Sequence, residues 1–190
     1  MNRFLKGAIS GAAGVALLLG GAGSFALWNG TASAAAGTVQ SGTMTIANTP
    51  GSAPAWTVTQ GGVTTAIASI GAFRLVPGDT LTLTQKVDIS ASGDNLSAIL
   101  SLDPTSIVVG GNAASSELAS ALARTATMTI PGTLPAGLTA GPAPYSYKVT
   151  GALGTKTVTI VLSAPFDAAG TAAQGGTIDL TKLAFKLAQQ

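Results

Sequence analysis

The sequence predicts an all-β fold: a two-sheet antiparallel β-sandwich of jelly-roll or Greek-key type with one short helix, preceded by a helical N-terminal signal segment. Three observations lead there. Over residues 80–90, Leu81, Leu83, Val87 and Ile89 alternate with Thr82, Thr84, Lys86, Asp88 and Ser90, so one face of a strand is dry and the other wet, as in a half-buried antiparallel sheet. Turn signals such as Thr49-Pro50-Gly51, Pro77-Gly78-Asp79, Pro131-Gly132 and Gly141-Pro142 punctuate the chain and divide it into short runs. The 190 residues are 46% hydrophobic and only 8% charged, with 25 Gly and 9 Pro, which suits many short strands and denies long amphipathic helices their polar face.

The first element is a leader. Arg3 and Lys6 precede residues 8–19, which are apolar or small throughout and end in Val15-Ala16-Leu17-Leu18-Leu19; these are the basic and apolar regions of a secretory signal. Residues 1–26 are read as that signal, cut between Ala26 and Leu27, because Ser24 and Ala26 are the small residues that cleavage requires. Ala32-Ser33-Ala34 satisfies the same rule. A permanent membrane anchor is the rival, since the uncharged residues 7–27 just suffice to span a bilayer. The Gly20-Gly21-Ala22-Gly23 run weakens such a helix. Residues 27–41 are read as a flexible arm, with Leu27, Trp28, Asn29 and Val39 as candidate assembly contacts. A free Leu27-Trp28 is apolar surface that monomers seldom leave in water.

The β-sandwich domain occupies residues 42–190. Strands at 42–47, 55–59 and 73–76 lead to the strand at 80–90. Asp94-Asn95 then turns the chain into a second alternating run, with Leu96, Ala98, Leu100 and Leu102 on one side, and the two runs read as a hairpin. Ser115 or Ser116 caps a helix with Glu117 in its first turn, Leu118 and Leu122 four apart, and Arg124 at its end. Strands at 125–130 and 145–150 follow, and then Val158, Ile160 and Leu162 alternate with Thr157, Thr159 and Ser163. Near the C-terminus the apolar parity changes, from Ile178 and Leu180 to Leu183, Phe185 and Leu187. A β-bulge or sharp bend at Thr181-Lys182 keeps both sets on the core, with Lys182 and Lys186 in solvent and the last strand inside the sandwich; a helical turn from Leu180 is the competing account.

The stretch Leu19-Gly20-Gly21-Ala22-Gly23-Ser24-Phe25-Ala26-Leu27-Trp28-Asn29 resembles the junction in substrates of the dedicated SipW-type signal peptidase. These substrates are the TasA and camelysin-like proteins of Gram-positive biofilm matrices and the alternate-signal exported proteins of actinobacteria. Ser41-Gly42-Thr43-Met44-Thr45-Ile46 is similar to their first mature strand, and Leu75-Val76-Pro77-Gly78-Asp79-Thr80-Leu81 to their Pro-Gly-Asp turn opening a strand. Gly93-Asp94-Asn95-Leu96 and Gly176-Thr177-Ile178-Asp179-Leu180 fall in the same order. The resemblance implies a secreted matrix protein that polymerises.

Chemistry is constrained by absence. Without Cys or His there are no disulfides, thiolate or imidazole metal ligands, or histidine acid–base groups, so the zinc-peptidase class linked to the camelysin branch is excluded. No phosphate-binding glycine loop occurs. Ser146 and Lys148 share a strand face and read as a solvated pair. Asp79, Asp88, Asp94 and Asp103 lack calcium-loop spacing, and turn chemistry accounts for Asp79 and Asp94. Trp56 reads as a core or core-edge side chain. No catalytic, metal or cofactor-binding residue is assigned, and no cofactor is expected. Loss of Arg3 and Lys6 from nine basic residues leaves seven against seven acidic ones. The mature chain is then neutral, without a basic cluster for nucleic acid.

Two functions remain. One is a secreted cell-surface or extracellular-matrix structural protein, a homo-polymer formed by donor-strand addition of the arm, meeting a signal peptidase during export and a membrane only through an uncleaved leader. The other is a monomeric surface module that binds carbohydrate or protein through its loops.

Overall fold

In the computed structural model the alternation at residues 80–90 becomes the central strand. The structure describes residues 38–167 and 170–190. The signal segment, the cut between Ala26 and Leu27, and the arm residues Leu27, Trp28 and Asn29 therefore lie outside the described residues. In chain order the elements are β1 (Thr43–Asn48), β2 (Ala55–Gln60), β3 (Val63–Ile67), β4 (Thr80–Ser92), β5 (Ser97–Leu102) and β6 (Val108–Val109). There follow helix α1 (Ala113–Thr125), then β7 (Thr127–Thr129), β8 (Leu138–Ala140), β9 (Ser146–Thr150), β10 (Gly154–Pro165), β11 (Ile178–Asp179) and β12 (Phe185–Gln189). Among the described residues α1 is the one α-helix, and all strand pairings are antiparallel.

The large sheet has the order β3-β2-β4-β10-β7, with β1 also on β4; the smaller is β12-β5-β9-β8, and β11 pairs β6. β4 is long enough to hold two partners on one side: β2 along Thr80–Thr84 and β1 along Val87–Ser92. Its odd residues from Leu81 to Ala91 are all buried, and its even residues are not. Opposite them, Val158, Ile160 and Leu162 of β10 face Val87, Gln85 and Leu83. Ala98, Leu100 and Val149 of the smaller sheet belong to the same core as Leu83, Val87, Ile89 and Ile160. The expected core positions Leu83, Val87, Leu100, Ile160 and Leu162 are all buried, and Trp56 packs half-buried against the core edge. Burial of this continuous apolar layer is the dominant stabilising contribution.

Several expectations are corrected. The runs joined by Asp94-Asn95 form no hairpin, for β4 and β5 lie in different sheets. The turn is present, with Leu96 N–H donating to Gly93 O at 3.2 Å, but the chain arches across the core there. Alternation is identical in the two cases, because both strands turn an apolar face to one interior. A Cβ on Gly151 would run into the Gly93 backbone, so this arch packs closely on the β9–β10 connection and requires glycine at that point.

Residues 73–76 are not a strand; after the 3-10 turn Ile70–Ala72 they run, without pairing to a strand, into the Pro-Gly-Asp turn. A strand that sequence reading missed, β3, follows the two-residue Gly61-Gly62 turn, both glycines at positive φ, a signature of tight hairpins. Asn112, not Ser115 or Ser116, caps α1: its Oδ1 accepts from Ser115 N at 2.8 Å. With the helix starting at Ala113, Glu117 falls beyond the first turn, whereas Arg124 is in the last. The helix reaches Thr125, so the following strand begins only at Thr127.

The C-terminal parity change is met by a sharp bend rather than a bulge or helix. Asp179 Oδ1 accepts from Thr181 N at 2.8 Å, and Leu183 N donates to Leu180 O at 3.1 Å. This turn transfers the chain from β11, paired with β6, to β12, paired with β5. Lys182 and Lys186 are exposed, but β12 is the edge strand of its sheet and does not lie inside.

Candidate functional site

The described end of the arm leads straight into β1. Val39 is 98% exposed, and Ser41 is likewise exposed. Gly42 lies so close to the Ser92–Gly93 backbone that a Cβ would collide with it. Thr43 then registers with Ser92, its N–H donating to Ser92 Oγ at 3.2 Å and its hydroxyl lying 2.9 Å from the same atom. From there to Asn48, β1 is hydrogen-bonded to β4 alone, and among the described residues no strand pairs its other side.

A second open edge lies on β10. β7 pairs only Val161–Ser163, leaving residues 154–160 paired on the β4 side alone. Charge distinguishes these two edges: the open half of β10 carries Lys156, a residue type that discourages intermolecular pairing, whereas β1 carries no charged side chain; the terminal strands β3 and β7 are uncharged too, but it is β1 that the arm leads into. Beside β1, a groove of about 620 Å³ is lined by Ile46, Trp56, Ile67, Leu83, Leu183 and Phe185 among others. Met44 and Ile46 point into the core side and are half-buried. This edge therefore offers unpaired backbone groups beside a groove of mixed lining, in which Asn48, Gln85 and Thr181 accompany the apolar side chains.

The Pro77-Gly78-Asp79 motif is structural. Asp79 N–H donates to Val76 O at 3.0 Å, closing a turn in which Gly78 has φ +93°, a conformation glycine adopts without a steric penalty. The Asp79 carboxylate is buried and accepts from Val76 N at 2.9 Å. Gly78 N–H donates to Phe166 O at 2.9 Å, and Phe166 N–H donates to Asp79 O at 2.7 Å. The turn thus ties the start of β4 to the end of β10.

The remaining acidic candidates are separate. Asp88 Oδ1 accepts from Thr49 at 2.8 Å and Thr157 at 2.6 Å on the outer face of the large sheet. Asp103 caps a 3-10 turn through Thr105, and Asp94 lies in the β4–β5 arch. Hydrogen bonds from Thr157 and Thr49 hold the Asp88 carboxyl below its ordinary pKa, and those from Thr105 and Thr181 do the same for Asp103 and Asp179. Ser146 Oγ is anchored to Ala143, donating to its carbonyl at 2.6 Å, and makes no pair with the exposed Lys148. Among the described residues no three acidic, cysteine or histidine side chains gather as a metal site.

One buried polar group escaped sequence reading in its true role. Ser115 is completely buried; its hydroxyl donates to Asn112 Oδ1 at 2.6 Å and accepts from Thr177 N at 2.9 Å. It links the start of α1 to the segment entering β11. No family model, curated protein or solved structure matches this chain.

Proposed function

We propose that this chain is an exported structural subunit of the cell surface or extracellular matrix. Its β-sandwich, of jelly-roll or Greek-key type, polymerises when the N-terminal arm of one copy adds a strand to the next. The observation that carries this reading is the uncharged open edge of β1, which the arm leads into, beside the trough at Ile46 and Trp56. Main-chain bonds to an added strand supply affinity, and alternate side chains entering the trough supply specificity. The arm is the donor, with Leu27 and Trp28 as its apolar anchors and Val39 near the base. A near-neutral mature chain offers little repulsion against such association.

The supporting test is microscopy and sedimentation of the exported protein beside an Ala47→Lys variant. Ala47 is exposed on β1 and registers with Asp88, so the lysine is compatible with the fold yet guards the edge. Filaments from the parent and mainly monomers from the variant are expected; equal polymerisation contradicts β1 as the acceptor edge.

A second reading, a monomeric binding module, draws on an apolar cavity of about 330 Å³ between α1 and the sheets, lined by Leu81, Leu102, Ala123, Tyr145 and Leu162 among others. Pockets of this size hold small ligands. A stable monomer at all concentrations, stabilised by a hydrophobic ligand, would favour it.

A further inference from the structure

We propose that the cavity between α1 and the sheets, on which the binding-module reading rests, holds the hydrocarbon tail of a single-chain amphiphile whose anionic head meets Arg74 in the adjoining groove. The cavity arises because the sandwich is filled unevenly. Around Ile89, Ala91, Ala98 and Val149 the sheets close on one another, and each of these side chains is fully buried. At the Leu81 end of β4 the space is bordered instead by α1, which contributes Ala119 and Ala123, four apart on one face, with Ala126 just beyond. Three methyl groups stand where larger side chains would close the gap, and about 330 Å³ is left. Trp56, Leu102, Ile178 and Leu183 remain only half-buried around it.

The lining selects the tail. None of the lining residues is charged, and Trp56 and Tyr145 bring the only polar side-chain atoms. A trapped water needs about two to four polar partners, more than this wall supplies, and packed interiors seldom keep voids much larger than a water. A peptide or sugar would leave its own polar groups unpaired here. At about 30 Å³ for each water-sized group, the space admits a single chain of about ten methylenes. Tyr145 is held in position for such a guest. Among the described residues it is the one non-glycine at positive φ, +63°, a conformation uncommon for a bulky side chain and one that recurs at ligand clamps. Ser146 clasps the same loop, its Oγ accepting from Ala143 N at 3.2 Å and donating to Ala143 O at 2.6 Å.

The head follows from what adjoins the cavity. Leu81, Ile178 and Leu180 line both the cavity and a neighbouring groove of about 780 Å³. That groove mixes Phe73 and Phe166 with Thr171 and Gln174, and Arg74 is the one charged residue of its lining. Arg74 is exposed. Its Nη1 donates to the carbonyls of Ala72 and Phe73 at 3.4 Å and 3.3 Å; these long bonds use one of the three guanidinium nitrogens, whose fork of donors suits a carboxylate or phosphate. An anionic head inside the cavity would be buried without a partner, at high cost, whereas beside Arg74 it is paired. Tail and head are thereby sorted between two connected spaces.

The test is calorimetric titration of the exported protein with decanoate and with 1-decanol, each kept below its aggregation limit. Ala123→Phe fills the cavity, with Ala119→Leu as the smaller alternative; Arg74→Gln removes the charge at the groove; Lys148→Gln, on the exposed outer face of the smaller sheet, is the control. Thermal melts by circular dichroism establish that each variant is folded. The parent is expected to bind both probes saturably, and the cavity-filling variants neither. Arg74→Gln should weaken decanoate about tenfold, the loss of one charge-assisted contact, and leave decanol unchanged; Lys148→Gln should alter neither. The proposal is overturned if the parent shows no saturable binding of decanoate, if a folded cavity-filling variant binds as the parent does, or if Arg74→Gln weakens both probes equally or neither. Filament formation would contradict the monomeric module and leave this site standing, because the cavity lies within one subunit. A monomer stabilised by another apolar ligand but not by decanoate would keep the module and sink the amphiphile.

Discussion

Replacement of Ile160 by Ala tests the arrangement of the core. Ile160 is fully buried, flanked along β10 by Val158 and Leu162 and faced across the ladder by Gln85. The substitution removes three carbon atoms, a transfer loss of about 2.4 kcal/mol at about 0.8 kcal/mol each. A cavity term adds to it, because Gln85 cannot swing into the void: its Nε2 donates to Ser52 O at 3.2 Å and Lys86 O at 2.9 Å. The total is about 3–5 kcal/mol, or a fall in Tm of about 6–20 °C at about 2–4 °C per kcal/mol. Thr159→Ala, on the opposite face, should cost no more than about 0.5 kcal/mol. Urea titration followed by Trp56 fluorescence measures both. Equal costs, or a reversed order, would refute the register, since a one-residue slip exchanges the faces.

Ser115→Ala leaves the Thr177 amide without its buried acceptor and should cost about 1–3 kcal/mol, read from the same titration; an unchanged midpoint would show that the helix start and the β11 approach are not coupled through this hydroxyl. Asp88 has its pKa depressed below the ordinary 3.8 by the hydroxyls of Thr157 and Thr49, so its contribution is complete above that value and is lost as pH falls through the lower folded-state value. Thr157→Val removes the principal donor and should flatten the decline of Tm as pH falls below 3.8; a parallel decline in parent and variant would remove Asp88 from the acid response.

Much of this fold was legible where burial and alternation coincide. β4 and β10 are long, half-buried strands whose buried parity holds from Leu81 to Ala91 and from Val158 to Leu162, with Gln85 the polar exception, and their register follows from it. Pairing was less legible. The arch at residues 93–96 presents the same pattern as a hairpin, and only the close approach of Gly93 to Gly151 distinguishes them. The cap of α1 was misplaced because Asn112 and two serines all satisfy capping preference, and tertiary contact with Thr177 consumed Ser115. β3, with Thr64 and Thr65 at its centre, is exposed over most of its length; without an apolar face the Gly61-Gly62 turn was its one sequence signal. The C-terminal bend was readable as a parity change, whereas its Asx turn at Asp179 depended on the strand exchange from β6 to β5. For the candidate assembly site, the sequence supplied the arm, and the topology supplied an uncharged edge next to it.

The central claim is assembly through the N-terminal arm, and deletion of that arm tests it most directly. Exported protein, with its N-terminus sequenced to establish whether it begins Leu27-Trp28-Asn29, is compared by negative-stain microscopy with protein starting at Gly42. Both retain the β1–β12 body, and matching circular dichroism melts would show the shorter form folded. Filaments from the longer protein and dispersed subunits from the shorter are the predicted result; normal filaments from protein starting at Gly42 would contradict donor-strand assembly.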